Sequence, residues 1–269
     1  MAQWEQFTNS VDSADTLVDV VDVVAAVDRA DEAAGPDAVD TAAGADAVDT
    51  VVSRMRALDA ALPERDGIAV FNGVYLAVTE AVGRRLDSGH FPDAEAAITL
   101  DVLFAERYLR VAEGGHAPAC WRPLLQFRRH PGVRPLQFAL CGINAHIGHD
   151  LALAVVDTCR TLGCEPTELE DEFEQVGDVL VSLEERIREE LMPGPDLLQI
   201  ADPLTHLLGA WSLERAREAS WSTARALWAL RGLTDLAEEF AHRLDAAVGL
   251  AGRMLLTPMP ERADCRPRG

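Results

Sequence analysis

From Val48 onward, apolar side chains recur with helical period along almost the whole chain. Val48, Val51, Val52, Met55, Leu58 and Leu62 follow the i, i+3, i+4, i+7 spacing of one helix face, and Pro63 stops the run. Phe71, Val74, Tyr75, Val78 and Val82 predict a second helix that ends before the polar stretch Asp87–Asp93, and a third spans about 93 to 112. Glu113 to Pro135, "EGGHAPACWRPLLQFRRHPGVRP", is rich in Gly, Pro and Arg and predicts a long irregular loop, the kind of segment that serves as a lid or binding loop. Phe138 to Val155 reads as one buried helix. Pro166 sits at a first turn, after which Leu169, Phe173, Val176, Leu180, Leu183 and Ile187 alternate by four and three, a heptad seam suited to antiparallel packing. Asp202-Pro203 predicts a capped helix start, and Ser212–Gly232 and Thr234–Leu255 complete the set. No segment alternates with period two between turn signals. The pattern predicts an all-α fold, a single bundle-like domain of about eight helices over residues 46–257.

Residues 1–45 differ. They are built from Ala, Val, Asp and Gly, with a near repeat in "DAVDTAA" (Asp37–Ala43) and "DAVDTVV" (Asp46–Val52), and they read as an acidic arm that is mobile or loosely docked. Residues 258–269 read as a tail. Across all 269 residues the formal net charge is −21, and every one of the 24 basic residues is arginine. Such a surface repels a phosphate backbone and an anionic bilayer, which excludes nucleic acid and membrane as expected partners. An Asp-rich, Lys-free composition predicts a halophilic, acidic proteome or a high-GC source. No run approaches about 18 consecutive apolar residues, so no transmembrane helix is expected. The N-terminus lacks the basic and apolar regions of a signal peptide, which makes the cytoplasm the expected compartment. Five cysteines without a CxxC pair read as thiols in a reducing compartment.

The candidate chemistry lies in "FALCGINAHIGHDLALAV", where Asn144, His146, His149 and Asp150 interrupt an otherwise apolar helix. On a helical wheel His146, His149 and Asp150 share a face, next to the apolar face of Leu136, Leu140, Ile143 and Ile147. Asn144 points away from His146. At i, i+3 and i, i+4 the imidazoles and the carboxylate can converge on a divalent metal, with His146, His149 and Asp150 as ligands. They can equally form a base with its orienting carboxylate, or a polar network satisfied inside the core. Asp101 falls on a buried face and needs a partner from another helix, since an unpaired buried charge is strongly disfavoured. Arg217, Trp221, Ala224 and Trp228 share a face, with Trp211 upstream, and predict a guanidinium stacked on tryptophan that pairs with Asp101 or receives a ligand anion. His116 and His130 flank the long loop and could supply further metal ligands. No phosphate loop, GxSxG elbow, Rossmann fingerprint or aspartate-rich terpene-cyclase motif is present.

The central motif G-x-N-A-H-I-x-x-D-L (Gly142–Leu151), with Phe71, Tyr75 and Thr79, Asp101 and Tyr108, and Trp211, Arg217, Trp221 and Trp228, resembles an uncharacterised helical domain of actinobacterial and haloarchaeal proteins. The resemblance covers roughly residues 50–255. It implies that His146 and Asp150 outweigh His149, and it brings no activity. The His146/Asp150 spacing is also similar to one ligand pair of zinc phospholipase C and P1-nuclease-type hydrolases, but the further His-rich ligand helices of those enzymes are absent. The assembled expectation is a polar pocket centred on His146 and Asp150. Asn144, Asp101 and Tyr75 would be its ligand-binding neighbours, and Arg217 with Trp221 its far wall. Its function would be that of a metal-dependent enzyme, a hydrolase of a small or lipid-like substrate; a helical module binding an apolar anionic ligand, and a purely structural network, are the alternatives.

Overall fold

The structure is a computed structural model that describes residues 41–191 and 212–258; the acidic arm, Asp202-Pro203, Trp211 and the tail beyond 258 lie outside the described residues. Eight helices and no strand make up the described part: α1 (Thr41–Ala61), α2 (Gly67–Asp87), α3 (Ala94–Ala112), α4 (Arg122–Phe127), α5 (Pro135–Leu162), α6 (Glu170–Leu191), α7 (Leu213–Ala229) and α8 (Thr234–Leu255). The all-α expectation holds. The α1 helix begins at Thr41, ahead of the boundary expected near 45.

Capping residues set the boundaries. Asp66 accepts from the Ile68 amide at 3.0 Å and opens α2, and Asp93 does the same for α3 through Ala96. At the start of α5, Gln137 accepts from the Arg134 amide and donates to the Leu255 and Thr257 carbonyls, so this buried amide also anchors the end of α8. Gly163, at φ 69°, closes α5 in the left-handed conformation that a side chain disfavours.

α5 is the hub. Its first half packs on α2 and α8, its second on α3 and α7, while α1 covers α2 and α3 from outside. It is long and apolar enough to cross a membrane, but 78% of its apolar window is buried against the other helices, so its hydrophobicity is that of a core helix. Two features depart from the sequence pattern. The stretch 113–134 is not wholly irregular, because Arg122–Phe127 forms the short helix α4 with Pro123 in its first turn. And α5 is not a uniform α-helix: His146–Leu151 is a π-helical turn, which inserts a residue into the ladder and resets the helical phase, so a wheel of constant pitch applies only on either side of it.

Close approach of α2 to α5 requires Gly142, whose Cβ would lie 2.3 Å from the Phe71 ring, whereas a Cβ on Gly73 of α2 would meet nothing within 4 Å. Gly142→Ala is therefore expected to destabilise by about 1–3 kcal/mol through overpacking. Gly73→Ala, at an exposed helix-interior position, should stabilise by about 0.5–1 kcal/mol. Denaturant unfolding of the two variants against the parent chain measures both signs.

Candidate functional site

The π turn delivers His146, His149 and Asp150 into the core, all three buried. Asp150 accepts three hydrogen bonds: Trp121 Nε1–H at 2.8 Å and His146 Nδ1 at 3.1 Å on Oδ2, and His149 Nδ1 at 2.8 Å on Oδ1. Burial alone would raise this carboxyl, but the hydrogen bonds from His146 and His149 outweigh it and hold Asp150 at about 2. An ionised carboxylate only accepts, so each imidazole facing it donates through Nδ1, and a neutral ring then carries its lone pair on Nε2. Burial also pushes the His146 pKa below its ordinary value, against the opposing pull of Asp150, which favours the neutral ring.

His146 is enclosed by aromatic rings. Phe104 stacks on it with centroids 3.6 Å apart, Tyr75 meets it edge-on at 4.4 Å, and Phe71, Trp121 and Tyr108 complete the wall. Its Nε2 has no hydrogen-bond partner, and neither has the Tyr75 hydroxyl or Asp101 Oδ2. Tyr108, by contrast, donates to Asn72, which in turn donates to the Met55 carbonyl. Unsatisfied buried polar atoms are uncommon in folded proteins and point to a ligand, ion or water.

On the other side of Asp150, Cys120, His149 and Asp150 form a buried trio whose donor atoms all lie within 4.8 Å of one another. Asp245 of α8 stands beside it. Its Oδ1 is 4.0 Å from His149 Nε2, and its carboxylate accepts from the Ala119 and Cys120 amides at 2.9 and 2.7 Å. These amides keep Asp245 below the usual carboxylate range despite the opposing effect of burial. Burial, reinforced by Asp150 and Asp245, pushes the Cys120 thiol up.

The structure thus brings together His146, His149, Asp150 and Tyr75. Asp101 lies one turn before Phe104 on α3, in the field of Tyr75, and is not paired with Arg217. Three expected members are elsewhere. Asn144 donates to the Val248 carbonyl at 3.0 Å and pins α8 to α5, as its wheel position away from His146 required. Arg217 donates to the Phe173 carbonyl at 2.6 Å, lies 4.7 Å over the Phe173 ring and fills the space left by Gly177, so it belongs to the α6–α7 seam. Its stacking partner is Phe173 and not tryptophan, because α6 offers both a carbonyl and a ring there. Trp221 packs on the same phenyl ring at 4.6 Å. His116 and His130 are exposed and contribute nothing to the cluster. Cys120, Trp121 and Asp245 escaped the sequence reading. Their only signals were a Cys-Trp pair inside a long Gly/Pro-rich segment and an aspartate sharing a helix face with Gly249 and Gly252.

A family model described as a family of unknown function (DUF5995) matches residues 48–258, and the chain belongs to that family. No match was found among curated proteins or among solved structures. These comparisons assign no role to Asp101, whose ionisation is directly testable. Burial raises its carboxyl to about 7 in the folded chain, against 3.8 ordinarily. Between those values the unfolded chain is deprotonated while the folded chain keeps its proton, so folding stability falls as pH rises from about 4 to 7. Asp101→Asn removes this term. Its stability relative to the parent should therefore improve by up to about 4 kcal/mol across that window, measured by urea unfolding at a series of pH values.

Proposed function

We propose that this family member is a metal-dependent enzyme, a hydrolase of a small, apolar or lipid-like substrate, with a zinc-type ion held by Cys120, His149 and Asp150. One observation carries the reading: a thiol, an imidazole and a carboxylate from two separate segments converge within 4.8 Å inside the core. Three protein ligands of this kind leave the fourth position of a tetrahedral ion open, the arrangement of catalytic rather than structural zinc. A thiolate and an imidazole favour zinc over magnesium or calcium, which take oxygen donors. Such an ion supplies a Lewis acid and brings the pKa of bound water to about 7.

The chain's own residues supply the rest. Asp150 fixes the His146 tautomer through Nδ1, so Nε2 is the proton acceptor, a buried base whose lowered pKa keeps it neutral near pH 7. The rings of Phe71, Tyr75, Phe104 and Tyr108 favour an apolar substrate, while a net charge of −21 disfavours an anionic one. Asp245 holds Cys120 in place through its backbone amide and is a positioning residue for the ion. A non-catalytic module for an anionic ligand loses its support, because Arg217 is committed to α6. A metal-free acid–base centre remains the second reading, favoured by the unpartnered His146 Nε2, Tyr75 Oη and Asp101 Oδ2.

Elemental mass spectrometry of protein purified without chelator should find about one equivalent of zinc per chain. Cys120→Ala and His149→Ala should abolish stoichiometric binding, whereas Asn144→Ala, remote from the trio, should retain it. Because the thiol must lose its proton, zinc affinity should rise with pH, with proton release on binding measurable by calorimetry in two buffers. A folded parent chain that neither carries zinc nor takes it up on titration sinks the metal reading and leaves the metal-free one.

A further inference from the structure

The buried face of α8 closes the site, and its opposite face packs on no other described helix. All the exposed large hydrophobic residues among the described ones lie on this helix or at its start: Leu233, Leu236, Phe240, Leu250 and Met254, with Leu250 62% and Met254 70% exposed. On the wheel Leu236, Phe240, Arg243, Ala247, Leu250 and Met254 form one stripe, separated by four, three, four, three and four residues. That is the a/d spacing of a coiled-coil seam, maintained over about 27 Å of helix.

The spacing reads the same in both directions about residue 245. A second α8 laid antiparallel therefore sets Leu236 against Met254, Phe240 against Leu250, and Arg243 against Ala247 of the second copy, the last pair leaving room for the guanidinium. The charges beside the seam follow the same symmetry. Glu239 flanks its N-terminal half and Arg253 its C-terminal half, on the same edge of the stripe, so antiparallel pairing brings each Glu239 to the Arg253 of the other copy. Parallel two-fold pairing would put this edge of the two copies on opposite flanks of the seam, so Glu239 and Arg253 would not meet. In the single chain Arg243 is already bound to Glu239 at 2.6 Å, which neutralises the one cation within the stripe. We infer that the outer face of α8 is the seam of a two-fold, antiparallel homodimer. The seam and the site occupy opposite faces of the same helix, since Asp245, Val248 and Gly249 face the Ala119–Cys120 backbone and α5.

Each chain carries a net charge of −21, so long-range repulsion opposes association at low ionic strength and screening relieves it. Sedimentation velocity of the full chain at micromolar concentration should show a dimer that strengthens from dilute to concentrated KCl. Phe240→Glu with Leu250→Glu should give a monomer of unchanged helicity by circular dichroism, both positions being exposed in the single chain. Glu239→Arg should weaken the dimer by about tenfold. The charge-swapped Glu239→Arg/Arg253→Glu chain should bind more tightly than Glu239→Arg alone while staying short of parental affinity, because Arg243 has lost its partner within the chain. Three results would each overturn the inference: a parent chain that stays monomeric in concentrated KCl, a dimer that survives the Phe240/Leu250 replacement, or a charge swap no better than its single variants.

Discussion

The buried carboxylate of Asp150 is the group around which the rest of the molecule is arranged. Removing an ionised carboxylate from water is expensive unless hydrogen bonds replace the lost hydration. Here three do, from Trp121, His146 and His149, and they come from two segments far apart in sequence. The charge thus fixes the depth of α5, the orientation of two imidazoles and the position of the connection before α4 together. The π turn lets successive residues His149 and Asp150 bond to each other while His146, four residues before Asp150, reaches the same carboxylate. On a regular helix sequence neighbours do not face each other.

A second aspartate completes the arrangement from the other side. Asp245 of α8 binds the amides of Ala119 and Cys120, while Asp150 of α5 binds the indole of Trp121. Three consecutive residues are thereby clamped between two helices. The end of α4 is tied down separately, where Arg128 meets Asp66 and the Gly67 amide donates to the Arg128 carbonyl. A connection that carries Gly, Pro and Arg in quantity is thus pinned at both ends by hydrogen bonds to α2, α5 and α8.

The polar groups around His146 divide into two kinds. Tyr108, Asn72 and Gln137 are buried with partners and organise packing. The Tyr75 hydroxyl, Asp101 Oδ2 and His146 Nε2 are buried without them, on three different helices that meet along the aromatic wall. A fold stabilised only by its core would replace these groups with apolar ones of similar size. Their presence beside a thiol–imidazole–carboxylate trio is what supports the proposed reading of this interior as a binding site.

Helical periodicity alone determines the all-α class, the bounds of α1, α2, α3, α7 and α8 to within several residues, and the centrality of the His146–Asp150 segment. Local rules suffice there, because burial of one face imposes a repeat on the sequence and caps mark its ends. The approach of His146 and His149 to Asp150 was legible for the same reason, since all three share one helix. Tertiary structure alone decided who else came. Cys120 and Trp121 lie about thirty residues away and Asp245 nearly a hundred away, and no local pattern encodes contacts between distant segments. The same limit misplaced Arg217 and Trp221: their shared face was read correctly, but the neighbour they face, Phe173 of α6, is set by how α6, α7 and α5 pack. The π turn also belongs to the tertiary level, because one inserted residue is favoured only when the bonds it permits, here to a buried carboxylate, outweigh the weaker backbone ladder.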